Sequence, residues 1–303
     1  MGRKMSFMHF VNTLKWLINH PLNQNRRMQS LIHFVRWQIG SRMVSGPIVH
    51  EWVNGAKFIV NRGETGLTGN VYSGLHEFSD MAFLLHVLRE QDLFIDVGAN
   101  AGSYTILACG AIGANCYCFE PVPATYSRLV DNIRLNNLQD KIHCMNIGIG
   151  EHEGNIRFTS SLDCGNHVVA ENEIGEDFID VKVNTLDSIL KYESPFFIKV
   201  DVEGFETPVL NGALKTLSNK ELCAVIMELN GCGERYGFNE SEILHMMHKH
   251  SFSGYSYDPF RRELIALDDK NLKSGNILFI RNKGIVSDRL INADYINING
   301  KVF

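Results

Sequence analysis

Two acids flanking a glycine turn are the first chemistry in this chain. In the run Leu93 to Tyr104, Asp96 stands two residues before Gly98, with Asn100 and Gly102 following at steps of two. Glycines at 98 and 102 allow backbone to approach a ligand where a Cβ would obstruct it. A dinucleotide G-x-G-x-x-G would need glycines at 98, 100 and 103, where this chain has Gly98, Asn100 and Ser103. A carboxylate at 96 repels a pyrophosphate and attracts a ligand bearing an ammonium and a sulfonium, a description that S-adenosyl-L-methionine meets. Glu120 lies 24 residues beyond Asp96 and closes a second apolar run, Asn115 to Phe119. At that place a carboxylate accepts hydrogen bonds from both ribose hydroxyls. The plainer alternative is that both acids only cap strand ends.

A second acidic constellation follows downstream. Phe196 to Val200 is an apolar strand that delivers Asp201 and Glu203 on one face of an extended chain, and Ala224 to Met227 leads to Glu228. Methyl transfer from a sulfonium is an in-line displacement, so the acceptor oxygen must be aligned and relieved of a proton. Asp201 or Glu203 is the expected base or orienting group, with His76 and His167 as substitutes. A divalent ion held by Asp201 and Glu228 is the other way to lower the acceptor's pKa, and the spacing allows it without requiring it. His76 and Glu77, at the start of a helix expected over Leu75 to Leu88, are placed to close over the cofactor or meet the substrate. Asn146 and Ile147, just past the third strand, are candidates for covering an adenine ring.

The elements that must hold these groups are those of an α/β chain. Apolar runs at Leu93 to Val97, Asn115 to Phe119, Ile142 to Ile147, Phe196 to Val200 and Ala224 to Met227 predict buried parallel strands. Helices are expected between them, one starting at the Pro121 and Pro123 pair. Asn155 to Thr159 and Phe178 to Val183 predict a hairpin around a long polar loop, 160 to 177, read as a substrate-facing lid or as local disorder. The predicted boundaries are a basic amphipathic helical segment over 1–45, a connecting β/helical region over 46–92, the main domain over 93–285 and a C-terminal tail over 286–303.

Charge is unevenly divided. The whole chain has 29 basic and 34 acidic residues, but its first 50 contain seven basic residues and no acid. Phe7, Phe10, Val11, Leu14, Leu17 and Ile18 form one helical stripe, and Met28, Leu31, Ile32, Val35 and Ile39 another. Both stripes are expected to pack this lobe onto the main domain, with docking on an anionic membrane surface as the other reading. The segment lacks a signal-peptide pattern, and no run approaches a membrane span. Seven cysteines without a C-x-x-C pair predict reduced thiols and a cytoplasmic setting, with a place peripheral to the inner membrane surface as the alternative reading. Cys116 and Cys118 read as packed thiols, and His245, His248 and His250 as surface histidines rather than metal ligands.

Taken together, Asp96-Val-Gly-Ala-Asn-Ala-Gly-Ser-Tyr-Thr, Phe119-Glu-Pro-Val-Pro, Asn136-Asn137, Thr185-Leu-Asp and Ile198-Lys-Val-Asp-Val-Glu-Gly-Phe-Glu resemble the FkbM-type methyltransferase family over roughly residues 75 to 230. The resemblance implies a Rossmann-like class I methyltransferase fold, a mainly parallel seven-stranded sheet with helices on both faces. It also implies dependence on S-adenosyl-L-methionine and O-methylation of a sugar, glycolipid or related small molecule. A non-catalytic scaffold in glycan assembly is the rival reading. A nucleic-acid methyltransferase is disfavoured because the body is acidic, and Asp258-Pro259-Phe260 lacks the second proline of an amino-methylating loop.

Overall fold

The computed structural model describes residues 7–268 and 275–303, apart from residues 62, 63, 65, 163, 164, 172 and 176. Helices α1 (Phe7–Asn19) and α2 (Arg27–Met43) come first, then a hairpin of β1 (Ile48–Glu51) and β2 (Lys57–Val60), then α3 (Thr68–Ser73) and α4 (Phe78–Val87). The main sheet starts with β3 (Leu93–Val97), α5 (Ser103–Ile106), β4 (Asn115–Phe119), α6 (Pro123–Leu135) and β5 (Ile142–Met145). The chain then leaves it to build a three-stranded sheet from β6 (Gly148–Ile149), β7 (Gly154–Thr159) and β8 (Phe178–Asn184). After α7 (Leu186–Ile189) it returns through β9 (Phe197–Val200), α8 (Glu206–Asn211), α9 (Leu214–Ser218), β10 (Ala224–Leu229) and α10 (Glu240–Lys249). It ends with β11 (Ser253–Asp258), β12 (Glu263–Ala266), β13 (Gly275–Ile280), α11 (Lys283–Ile291) and a short hairpin, β14 (Asn297–Ile298) and β15 (Lys301–Val302).

The main sheet runs β12-β11-β13-β10-β9-β3-β4-β5. From β10 to β5 every pairing is parallel, while β13 runs antiparallel to both β10 and β11. The seven strands expected of a class I methyltransferase fold are present, and β12, folded back on β11, adds an eighth. Alternate residues of each inner strand feed opposite cores. Phe94, Phe197, Ile226 and Leu278 point into one, and Ile95, Ile198, Val225 and Phe279 into the other. Helices cover both faces, which is why these strands read as unbroken apolar runs.

Four expectations differ from the structure. The helix expected from Leu75 begins at Phe78, so His76 and Glu77 lie in the loop before it. The third strand ends at Met145, and Gly148–Ile149 belongs to the smaller sheet. The segment expected as a tail is built in: Phe303 is buried and its ring meets Phe78 at 5.1 Å. The second N-terminal stripe faces outward. Helix α2 buries Ser30, Phe34 and Ser41, while Met28, Ile32, Val35 and Ile39 are exposed. Phe34 meets the Tyr72 ring at 5.0 Å, and Gln38 donates to the Tyr72 hydroxyl, so α2 packs through a mixed face. No helix among the described residues is long and apolar enough to cross a membrane.

Candidate functional site

After β5 the chain has finished one half of the sheet, and β9 restarts on the other side of β3. The carboxyl ends of β3 and β9 thus flank the point where strand order reverses, the usual place for a ligand crevice. A cleft of about 260 Å³ opens there. Its lining includes Asp96, Gly98, Asn100 and Glu120 on one side and Asp201, Glu203 and Glu228 on the other. His76, Glu77, Tyr104 and Lys199 also reach it.

The turn after β3 is shaped by the neighbouring strand. Gly98 has φ +80°, and a Cβ there would lie 1.9 Å from the carbonyl oxygen of Asp201. This glycine therefore admits the backbone leaving β9, and it also lines the cleft. Gly102 likewise makes room for Leu129 of α6, which a Cβ would meet at 2.6 Å. Asn100 has φ +49°, a left-handed conformation that asparagine tolerates, and its side-chain oxygen accepts from the Ala101 N–H at 2.7 Å.

Asp96 is buried. One of its oxygens accepts from Thr105 Oγ1 at 2.7 Å, and the other, Oδ1, has no partner among the described residues. An unpaired buried acceptor is costly, and a donor brought by a ligand in this cleft would relieve it. Burial pushes the carboxyl up to about 6, against the pull of Lys199 and Thr105. Glu120 accepts from the backbone N–H groups of Asn100 and Val122, each at 3.0 Å. Burial raises it to about 7. Each Glu120 oxygen retains a lone pair for a further donor.

Lys199 was not among the sequence candidates. It is the register partner of Asp96 across β3 and β9, so both side chains leave the same face of the sheet. Its ammonium lies 2.8 Å from Asp201 Oδ2 and 4.8 Å from the centre of the Tyr104 ring. Burial works against its charge, but Asp201, Asp96 and Glu77 more than compensate and raise its pKa. The signal was present in the sequence as one lysine inside an apolar strand, since buried lysines are almost always paired.

Asp201, Glu203 and Glu228 converge. One carboxylate oxygen from each lies within 4.8 Å of the others, the only such grouping of possible metal ligands among the described residues. Burial, then Asp201, Glu203 and Glu77, push Glu228 up to about 8. Burial and the Asp201 charge also raise Glu203. Like charges at this range cannot all ionise freely, so the cluster retains a proton near neutrality.

The remaining candidates have distinct placements. Glu77 accepts from Tyr104 Oη at 2.8 Å and from Asn276 Nδ2 at 3.1 Å, so its carboxylate is held at the cleft wall. His76 faces the cleft with its ring against Trp16 at 4.8 Å, and its backbone N–H is held by Asn70 Oδ1 at 2.7 Å. Desolvation by the surrounding wall lowers its pKa. His167 lies elsewhere: it is buried, with Nδ1 2.8 Å from the Gly165 carbonyl and Nε2 3.1 Å from Glu173, so both ring nitrogens are engaged within the loop. Asn166, its neighbour, lines the cleft instead. Asn146 donates to the carbonyls of Glu120 and Pro121 at 2.8 and 2.9 Å, bracing the turn after β4. Ile147 lines a small adjoining apolar hollow with Pro121 and Phe158.

Residues 96–264 match the methyltransferase FkbM domain. Over 152 residues, 48% of this chain and 59% of the relative, the sequence is 30% identical to the hexuronic acid methyltransferase AglP of Haloferax volcanii. Over 160 residues, 45% of this chain and 64% of the relative, it is 26% identical to methyltransferase 1 of Beauveria bassiana. The chain thus spans about three-fifths of the length of these relatives. Among solved structures it is similar to methyltransferase FkbM of Methylobacillus flagellatus KT, with 16% identity and a TM-score of 0.43 over 70% of this chain and 52% of that one. With more than half of its residues inside the matched region, the chain belongs to the FkbM methyltransferase domain family.

Proposed function

We propose that this protein is an S-adenosyl-L-methionine-dependent O-methyltransferase acting on a hydroxyl of a sugar, glycolipid or related small molecule. The observation that carries the reading is the unpaired, buried Asp96 Oδ1 in a cleft whose opposite wall is the Asp201, Glu203 and Glu228 cluster. Asp96 offers an acceptor to a cationic or hydroxyl-bearing part of the donor, and Glu120 offers one to a ribose. When bound, the donor supplies an electrophilic methyl group. The chain's own residues orient the acceptor and take up its proton. Asp201, held by Lys199, orients the acceptor hydroxyl. Glu228 receives the proton, since a carboxyl raised to about 8 is matched to proton transfer near neutral pH.

Family membership and the 30% identity to a hexuronic acid methyltransferase support a carbohydrate acceptor. The acids that crowd the cleft disfavour a polyanionic nucleic acid there. Calorimetry with S-adenosylmethionine, its demethylated product and a nicotinamide dinucleotide tests the donor assignment. Mass spectrometry of a pool of sugars incubated with enzyme and donor tests the acceptor. Uptake of the dinucleotide with indifference to the other two ligands would overturn the reading.

A further inference from the structure

Helix α2 carries two faces of opposite use. Ser30, Phe34 and Ser41 are buried against the protein, with Phe34 and Gln38 both reaching Tyr72. On the opposite side Met28, Ile32, Val35, Ile39 and Met43 recur at steps of four and three, and are 70%, 47%, 50%, 56% and 81% exposed. At about 100° per residue these five fall within an arc of about 80°, a continuous apolar stripe along the whole helix. Such a stripe on a helix already packed by its other face marks a contact surface.

Charge identifies the partner. Arg36 and Arg42 flank the stripe on its two sides, Arg26 and Arg27 stand at the helix start, and all four are exposed. No acid occurs in the first 50 residues. A second copy docked on this face by two-fold symmetry would set these arginines against their own equivalents, which costs association. An anionic lipid surface satisfies both features at once: the stripe enters the acyl boundary and the arginines meet headgroup charge.

We propose that α2 docks this protein in the plane of an anionic membrane through Met28, Ile32, Val35, Ile39 and Met43, with Arg36 and Arg42 as headgroup contacts. The proposal is independent of the reaction in the cleft.

The test is co-sedimentation of the full chain with phosphatidylcholine vesicles, with and without phosphatidylglycerol, at low and high salt. Binding is expected only to the anionic vesicles, and salt should weaken it. The double variant Ile32→Ser/Ile39→Ser should abolish it. Arg36→Gln should weaken it about fivefold. All three positions are exposed, and unchanged circular dichroism of the variants confirms their folding. Two results would overturn the proposal: no binding to anionic vesicles, or binding that survives the double variant. A third would replace it: sedimentation velocity showing a dimer that Ile32→Ser/Ile39→Ser converts to monomer.

Discussion

Lys199 stands opposite Asp96 in the strand register, yet its ammonium reaches Asp201, 2.8 Å away at the end of its own strand. One buried cation therefore serves both walls of the cleft, sharing a face with the donor-side acid and pairing with the acceptor-side one. Replacing Lys199 with Met leaves those acids uncompensated. We expect a loss of about 3 kcal/mol in unfolding free energy at neutral pH, in the range for breaking a buried ion pair. Lys199 holds the Asp96 carboxyl down against burial, so in the variant Asp96 takes up its proton at a higher pH than the about 6 of the wild type, and the deficit should shrink as pH falls toward about 6. Urea titrations of both proteins at several pH values would reveal this; a deficit that stays constant with pH rules it out.

Glu228 carries the raised pKa of the acceptor wall. For the free enzyme kcat/KM should rise with pH and level off above about 8, as Glu228 becomes able to accept a proton. Glu228→Gln should lower kcat by about a hundredfold or more and remove that rise. If the variant keeps the wild-type profile, proton uptake belongs to another group. Asp201→Ala compared in the same assay separates the two acids, because unchanged turnover with unchanged donor affinity would remove Asp201 from the mechanism.

Donor affinity should also depend on pH. Asp96 and Glu120, raised to about 6 and about 7, must be ionised to hold a cationic donor and its ribose most strongly. The sign follows directly: affinity increases as pH rises through 6 and 7 and the two carboxyls lose their protons. Asp96→Asn should bind at least about tenfold more weakly at neutral pH and lose the lower part of the pH dependence, within the range for a charged hydrogen bond. Calorimetry at several pH values measures both, and equal affinity throughout would count against a role for Asp96.

Gly98→Ala tests the junction of β3 and β9. The new Cβ would meet the Asp201 carbonyl at 1.9 Å in a backbone conformation of φ +80°. Strain of this kind costs about 3 kcal/mol or more, because the contact is with backbone and neither strand can move freely. A midpoint of chemical unfolding close to that of wild type would show that the turn relaxes.

The strand, turn and helix around Asp96 were legible because their signals are local. Asp96, Gly98, Asn100 and Gly102 lie within seven residues, and a strand, a turn and a helix are specified by that short stretch. Glu120 followed from the length of one strand-helix-strand unit. The acceptor side depends on strands that meet across long sequence separations. Asp96 and Lys199 are paired by a register that no single strand declares. The convergence of Glu228 with Asp201 and Glu203 is expected from their strand ends, and it is met because β10 lies beside β9. His167 had the right chemistry, but its partner Glu173 within the same loop draws it away. For α2, periodicity located an apolar stripe without its direction, and the small residues Ser30 and Ser41 gave the closer approach to the body. Strand β12 is short and largely exposed, so it lacks the apolar run that identified the inner strands.

His76, Glu77 and Asn276 all lie outside residues 96–264. The matched region thus contains the turn after β3 and the acids Asp201, Glu203 and Glu228, while His76 and Glu77 before it and Asn276 after it come from the rest of the chain.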